Sequence, residues 1–153
     1  ARLPQRLNFL SLRESPLVFC APRADCVVRG VLDRADPREA GFPWSELPFI
    51  VPERGATKEL LDDWFLEQGV RPRIYAQVAG HEAIVAMVGL GLGVGIAPEL
   101  VIQASGMADK ISTLPMISEL PPINIGLCSL SQRMSSPLVR SLWDVAARTY
   151  PVL

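Results

Sequence analysis

The stretch from Pro48 to Pro98 constrains the fold more than any other part of the chain. Pro48-Phe49-Ile50-Val51-Pro52 is a short apolar run bounded by prolines and reads as a strand. Thr57 to Gln68 reads as a helix, because Leu60, Leu61, Trp64 and Phe65 share one stripe while Asp62, Asp63 and Glu67 fall outside it. Gly69 is placed to stop that helix in a left-handed turn, and Pro72 bars its continuation. Arg73 to Val78 then reads as a second strand, Gly80 to Leu90 as a second helix, and Gly93 to Ala97 as a third strand closed by Pro98.

Strands joined through helices are expected to be parallel, with right-handed crossovers. Both helices then start at the same edge of the sheet, beyond the carboxyl ends of the strands, where open parallel sheets bind their ligands. In this chain that edge is Glu53 to Thr57, Ala79 to Glu82, and Pro98-Glu99.

The flanks are less regular. Two apolar runs within residues 7–20 read as two strands or one long bent strand. Ala21 to Pro48, rich in Pro, Asp, Arg and Gly, reads as a linker ending in a short helical turn at Trp44-Ser45-Glu46-Leu47. A strand is expected at Ile111 to Leu114, and the alternation of Ile123 to Leu130 predicts another. Ser136-Pro137 opens a last helix to Thr149, with Leu138, Leu142, Val145 and Ala146 expected in the core.

Composition narrows the class. Of 153 residues 49% are hydrophobic, enough aliphatic surface to offset the entropy of ordering the chain, which argues against disorder. A net charge of -1 gives no positive field to draw these residues onto nucleic acid. The three cysteines, Cys20, Cys26 and Cys128, have no C-x-x-C spacing, and His81 is the single histidine, so no structural zinc framework exists and no metal is expected. Reduced thiols in a cytoplasmic protein are the simpler reading. Ala1-Arg2-Leu3-Pro4 lacks the apolar core of a signal peptide, and the missing initiator methionine points to a fragment. Ala83 to Ala97 is too short and too interrupted by glycine for a membrane span, which needs roughly 20 apolar residues.

Gly89-x-Gly91-x-Gly93-x-Gly95 invites a dinucleotide-binding reading, which the order of elements rejects. A phosphate loop follows a strand and opens a helix, whereas these glycines close a helix and open a strand. A tight turn with close backbone approach is expected instead, and no cofactor. Glu53-Arg54-Gly55-Ala56-Thr57 is suited to helix capping, by Thr57 or by the loop, and to offering amides and a hydroxyl to a carboxylate. Gly80-His81-Glu82 stands at the matching place on the second helix. With no G-x-S-x-G and no second histidine, an oriented nucleophile and base are not evident. Binding therefore ranks above catalysis.

The run from Gly80-His81-Glu82-Ala83 through Gly93-Val94-Gly95-Ile96-Ala97-Pro98-Glu99 resembles the second-lobe signature of effector-binding domains in LysR-type transcriptional regulators. Pro48-Phe49-Ile50 and the Gly69-Val70-Arg71-Pro72 turn are similar to the same family. His81-Glu82-Ala83 and Ile125-Gly126-Leu127-Cys128 resemble its IlvY type, which regulates branched-chain amino acid synthesis. The resemblance implies an α/β, periplasmic-binding-protein-like two-lobe fold with lobe I incomplete in this chain. Residues 1–46 would be part of lobe I and a crossing, 47–121 lobe II, and 122–153 the return strand and last helix of lobe I.

It implies effector contacts at Gly55, Ala56 and Thr57 and at Ala79, Gly80, His81 and Glu82, the same positions the strand-edge geometry selects. The implied ligand is a small carboxylate metabolite, for the IlvY type an acetohydroxy acid. DNA would be reached only through an N-terminal winged helix-turn-helix that this chain lacks, in a homo-oligomer, with no membrane contact. Two other classes share the architecture or the chemistry: a periplasmic solute-binding protein, and a small α/β enzyme using His81 and Glu82 as acid-base groups.

Overall fold

A computed structural model of the chain describes residues 6–116 and 120–150; the Ala1 to Pro4 start lies outside the described residues. The chain divides into two compact units, Ala1–Ser15 with Pro122–Leu153 and Pro16–Pro121. Residues 16–46 group with the larger unit.

In the larger unit the strands lie in the order β3-β2-β4-β1-β5. They are β2 (Pro48–Pro52), β3 (Arg73–Val78), β4 (Val94–Pro98), the later part of β1 (Leu7–Pro22) and β5 (Ile111–Thr113). As expected, β2 runs parallel to both β3 and β4. β1 is antiparallel to β4 and β5, with Leu17 opposite Pro98 and Cys20 opposite Thr113. The residues 7–20 form one strand, not two.

The helices α2 (Ala56–Glu67) and α3 (His81–Gly89) pack on opposite faces of this sheet. Neighbouring residues on a strand point to opposite faces, so Phe19 and Phe49 face one way and Cys20 and Ile50 the other. Leu61, Trp64 and Phe65 of α2 cover the first face, where Phe19–Trp64 ring centroids are 4.7 Å apart and Phe49–Phe65 4.9 Å. Ile84, Val85 and Val88 of α3 join Cys20, Ile50 and Ala97 in a fully buried aliphatic cluster on the second. Right-handed crossovers that run in opposite directions, β2 to β3 and then β3 back past β2 to β4, require this two-sided arrangement. Each large side chain so buried contributes roughly 1.5–3 kcal/mol.

The glycine series serves close packing. A Cβ at Gly95 would lie 2.5 Å from Ile84 Cγ2, and one at Gly93 2.6 Å from the Pro48 carbonyl oxygen. Their missing side chains let α3 and β2 approach β4.

Two expectations are corrected, the linker and the core face of the last helix. The region read as a linker contains α1 (Val27–Leu32), whose Val28, Val31 and Leu32 are buried; the helical turn expected at its end is the 3-10 turn Trp44–Glu46, which seats Trp44 in the core. A further short helix, α4 (Glu99–Ala104), follows β4 directly. In the smaller unit β6 (Leu120–Leu130) pairs with the first part of β1, where Ser11 Oγ donates to Asn124 Oδ1 at 2.7 Å. There α5 (Pro137–Thr149) starts at the expected Ser136-Pro137 but buries only Ala146 of its expected core face. Leu138, Leu142 and Val145 are exposed, because an amphipathic stripe needs an opposing surface and the described residues supply none over them.

Candidate functional site

The site is built from the aligned ends of two parallel strands. Pro52 at the end of β2 stands opposite Val78 at the end of β3, and the Glu53 amide donates to the Val78 carbonyl at 3.1 Å. The two chains therefore leave the sheet side by side and each turns at once into a helix. The turning residue is glycine both times: Gly55 with φ 95° caps α2, and Gly80 with φ 84° caps α3. Positive φ is costly for any residue with a Cβ, so glycine here answers to the backbone. Neither cap has a side chain, and none bonds to the first-turn amides as a cap. At α2 the Gly55 carbonyl already accepts from the Lys58 amide at 2.9 Å, so it is the Ala56 and Thr57 amides that face water or a ligand.

Of the two caps expected for this helix, Thr57 or the loop, the loop supplies it through Gly55, which leaves the Thr57 side chain for other work. Thr57 is buried, and its Oγ1 lies 3.1 Å from His81 Nε2. The two helix starts selected from sequence are therefore joined directly. Gly55, Ala56, Ala79 and Gly80 are exposed around this pair. Sequence reasoning placed Thr57 and His81 on one edge but did not foresee their mutual hydrogen bond. Its signal was only that each follows the end of a strand by a few residues.

Electrostatics divide the site. Burial holds the His81 imidazole below its ordinary 6.5, with the Glu82 charge opposing. A neutral ring keeps one nitrogen as donor and one as acceptor, so the hydrogen bond with Thr57 can run in either direction according to tautomer. Glu82 folds back over the cap: its Oε2 is 3.1 Å from where a Gly80 Cβ would stand. One carboxylate thus already occupies space beside the start of α3, while at α2 Lys58 is paired with Asp62 one turn on. Among the described residues no group of three or more His, Cys, Asp or Glu side chains could hold a metal ion, and no helix is long and apolar enough to cross a membrane.

Comparison with known proteins bears on this geometry. The profile of the LysR substrate binding domain matches residues 2–151. The transcriptional activator IlvY of Haemophilus influenzae is 36% identical over 142 residues, which are 92% of this chain and 47% of that protein. The regulator IlvY of Escherichia coli is 33% identical over 146 residues, 94% of this chain and 48% of that protein. The chain spans about half the length of these relatives.

Among solved structures, the effector binding domain of QuiR in complex with shikimate superposes with a TM-score of 0.69 at 22% identity, over 95% of this chain and 66% of that one. The CcmR regulatory domain of Synechocystis in complex with 2-PG gives 0.75 at 18%, over 99% and 72%. The fold is thus the periplasmic-binding-protein-like α/β fold of LysR effector-binding domains. The similar proteins are transcriptional regulators and not enzymes, in keeping with the ranking of binding above catalysis. With the family profile covering nearly every residue and a relative more than one-third identical over nine-tenths of it, the chain belongs to the LysR substrate-binding-domain family.

Proposed function

We propose that the edge made by Gly55, Ala56, Thr57, Ala79, Gly80, His81 and Glu82 receives a small carboxylate effector. The hydrogen bond between Thr57 and His81 carries this reading, since it brings two glycine-capped helix starts to one place. A carboxylate gains from amides at a helix start and from the positive end of the helix dipole. Glu82, folded over Gly80, disfavours a second carboxylate at α3, so the acid group is directed to α2 around Ala56 and Thr57. His81 then serves a hydroxyl or keto oxygen of the same ligand. The organic ligands named with the QuiR and CcmR domains support the ligand class. An acetohydroxy acid in particular is what the sequence resemblance to the IlvY type implies.

The parent protein, on this reading, is a cytoplasmic homo-oligomeric transcription regulator that reaches DNA through an N-terminal winged helix-turn-helix. The effector acts by favouring one arrangement of the regulator over another. A difference of a few kcal/mol in its affinity for the two suffices to shift such an equilibrium.

Titration calorimetry of acetolactate into the complete regulator, parent and His81→Ala, tests the reading. Saturable binding weakened about tenfold or more by the substitution is expected. Absence of heat with every acetohydroxy acid overturns the ligand assignment, and equal affinity of the two proteins removes His81 from the site.

A further inference from the structure

The larger unit holds a second concavity at the opposite end of the sheet from the candidate effector edge. It is a cavity of about 580 Å³, within the range of small-molecule sites. Its walls come mainly from the segment before β2 and from the end of α2 with its turn into β3, with Met116 from beyond β5. Parallel strands with Pro48 opposite Arg73 put both segments at the starts of the strands. Gly55 and Gly80 follow the ends of the same strands, so the two places are separated by the length of the sheet.

Phe42, Trp44 and Trp64 line this cavity, all more than nine-tenths buried. They are held rigidly: Phe42–Trp44 centroids are 4.6 Å apart, and Trp44–Trp64 are 5.2 Å apart at 87°. Glu39, Gln68 and Arg71 belong to the same lining. Glu39 and Arg71 are exposed, and neither belongs to an ion pair among the described residues. Arg38, the nearest cation in sequence to Glu39, is engaged by Asp36 through several hydrogen bonds and feels the Glu39 charge only as the last of its electrostatic influences. The end of α2 does not need a partner here. Gly69 and Val70 amides already bond the Leu66 and Phe65 carbonyls.

We propose that this cavity binds an α-amino acid with an apolar side chain. A rigid aromatic floor gives the apolar side chain a large contact area at little entropic cost. Arg71 and the Gln68 amide face the carboxylate as donors. Glu39, with the indole faces, meets the ammonium. One charge of each sign at the rim selects a zwitterion over a simple acid or amine, either of which leaves one rim charge without its partner. The ligand class differs from that of the effector edge, so the two sites answer to different metabolites.

Two of the three tryptophans of the chain, Trp44 and Trp64, line the cavity, and their emission reports occupancy. The full chain is titrated with leucine and with phenylalanine, then with 3-phenylpropanoate and 2-phenylethylamine, which each lack one of the charges. A saturable emission change with one or both amino acids is expected, at least about tenfold weaker with either truncated compound. Arg71→Gln and Glu39→Gln are each expected to weaken it about tenfold. Both replace exposed side chains, and circular dichroism verifies their fold. Gly106→Ala, where nothing lies within 4 Å of the new carbon, is expected to leave it unchanged. No saturable change up to about 10 mM of either amino acid overturns the proposal. So does equal binding of a truncated compound, indifference to both rim substitutions, or loss of the signal in Gly106→Ala.

Discussion

Thr57 Oγ1 and His81 Nε2 stand 3.1 Å apart across 24 positions of sequence, tying the first turn of α2 to that of α3. Thr57 keeps 5% of its surface, so a valine in its place fills the same volume and leaves the imidazole nitrogen without its partner. Thr57→Val is expected to destabilise the fold by about 1–3 kcal/mol in urea titrations. It should also weaken effector binding about tenfold by calorimetry, whereas Thr57→Ser retains both. A valine variant that matches the parent in both measurements disproves the coupling.

The same histidine predicts a pH response of stability. Its folded pKa lies below its ordinary 6.5, so between those two values the unfolded chain takes up a proton that the folded chain resists. Stability is then complete above about 6.5 and declines as pH falls toward the folded pKa. His81→Gln should flatten that decline. Denaturation midpoints of parent and variant, compared at pH 7.5 and through the mildly acidic range, check it; parallel curves rule the contribution out.

How legible all this was in the sequence depended on whether local chemistry or remote packing made the decision. Prolines at Pro48, Pro52 and Pro98 and glycines at Gly69 and Gly80 mark boundaries by their own backbone geometry, and the elements between them stand within a residue or two of expectation. Val27–Leu32 was missed because Gly30 weakens its helical pattern and arginines surround it; burial of Val28, Val31 and Leu32 outweighs that propensity. For α5 the stripe was legible, but the surface opposite it was not, and Leu138 is 84% exposed. At the site, parallel topology brings Thr57 and His81 to one edge, while their hydrogen bond depends on a side-chain geometry no spacing encodes.

Close approach at β4 makes a further test. A methyl at Gly95 would lie 2.5 Å from Ile84 Cγ2, between two fully buried layers with no room to yield. Gly95→Ala is expected to cost about 1–3 kcal/mol, read as a lower urea midpoint at unchanged slope. Gly106→Ala, where nothing lies within 4 Å of the new carbon, is the control and should stay near the parent. Equal losses at both positions refute the packing account.

The cysteines should differ in reactivity. Cys20 is fully buried, and that burial pushes its thiol up to about 12, against a backbone hydrogen bond with Gly95 that lowers it. Cys26 is half-buried and Cys128 exposed. With a thiol reagent at pH 8, Cys128 is expected to react first and Cys20 only after denaturant is added. Three thiols titrating together in the native protein count against this placement of β1.

Because α2 rests on a bed of rings and α3 on a bed of branched aliphatics, the two helix starts of the proposed effector edge have separate foundations. Retailoring Phe19 or Phe49 shifts one, and retailoring Ile50 or Val85 shifts the other. On the proposed reading, selectivity would drift by half-steps, with one grip altered while its counterpart keeps hold.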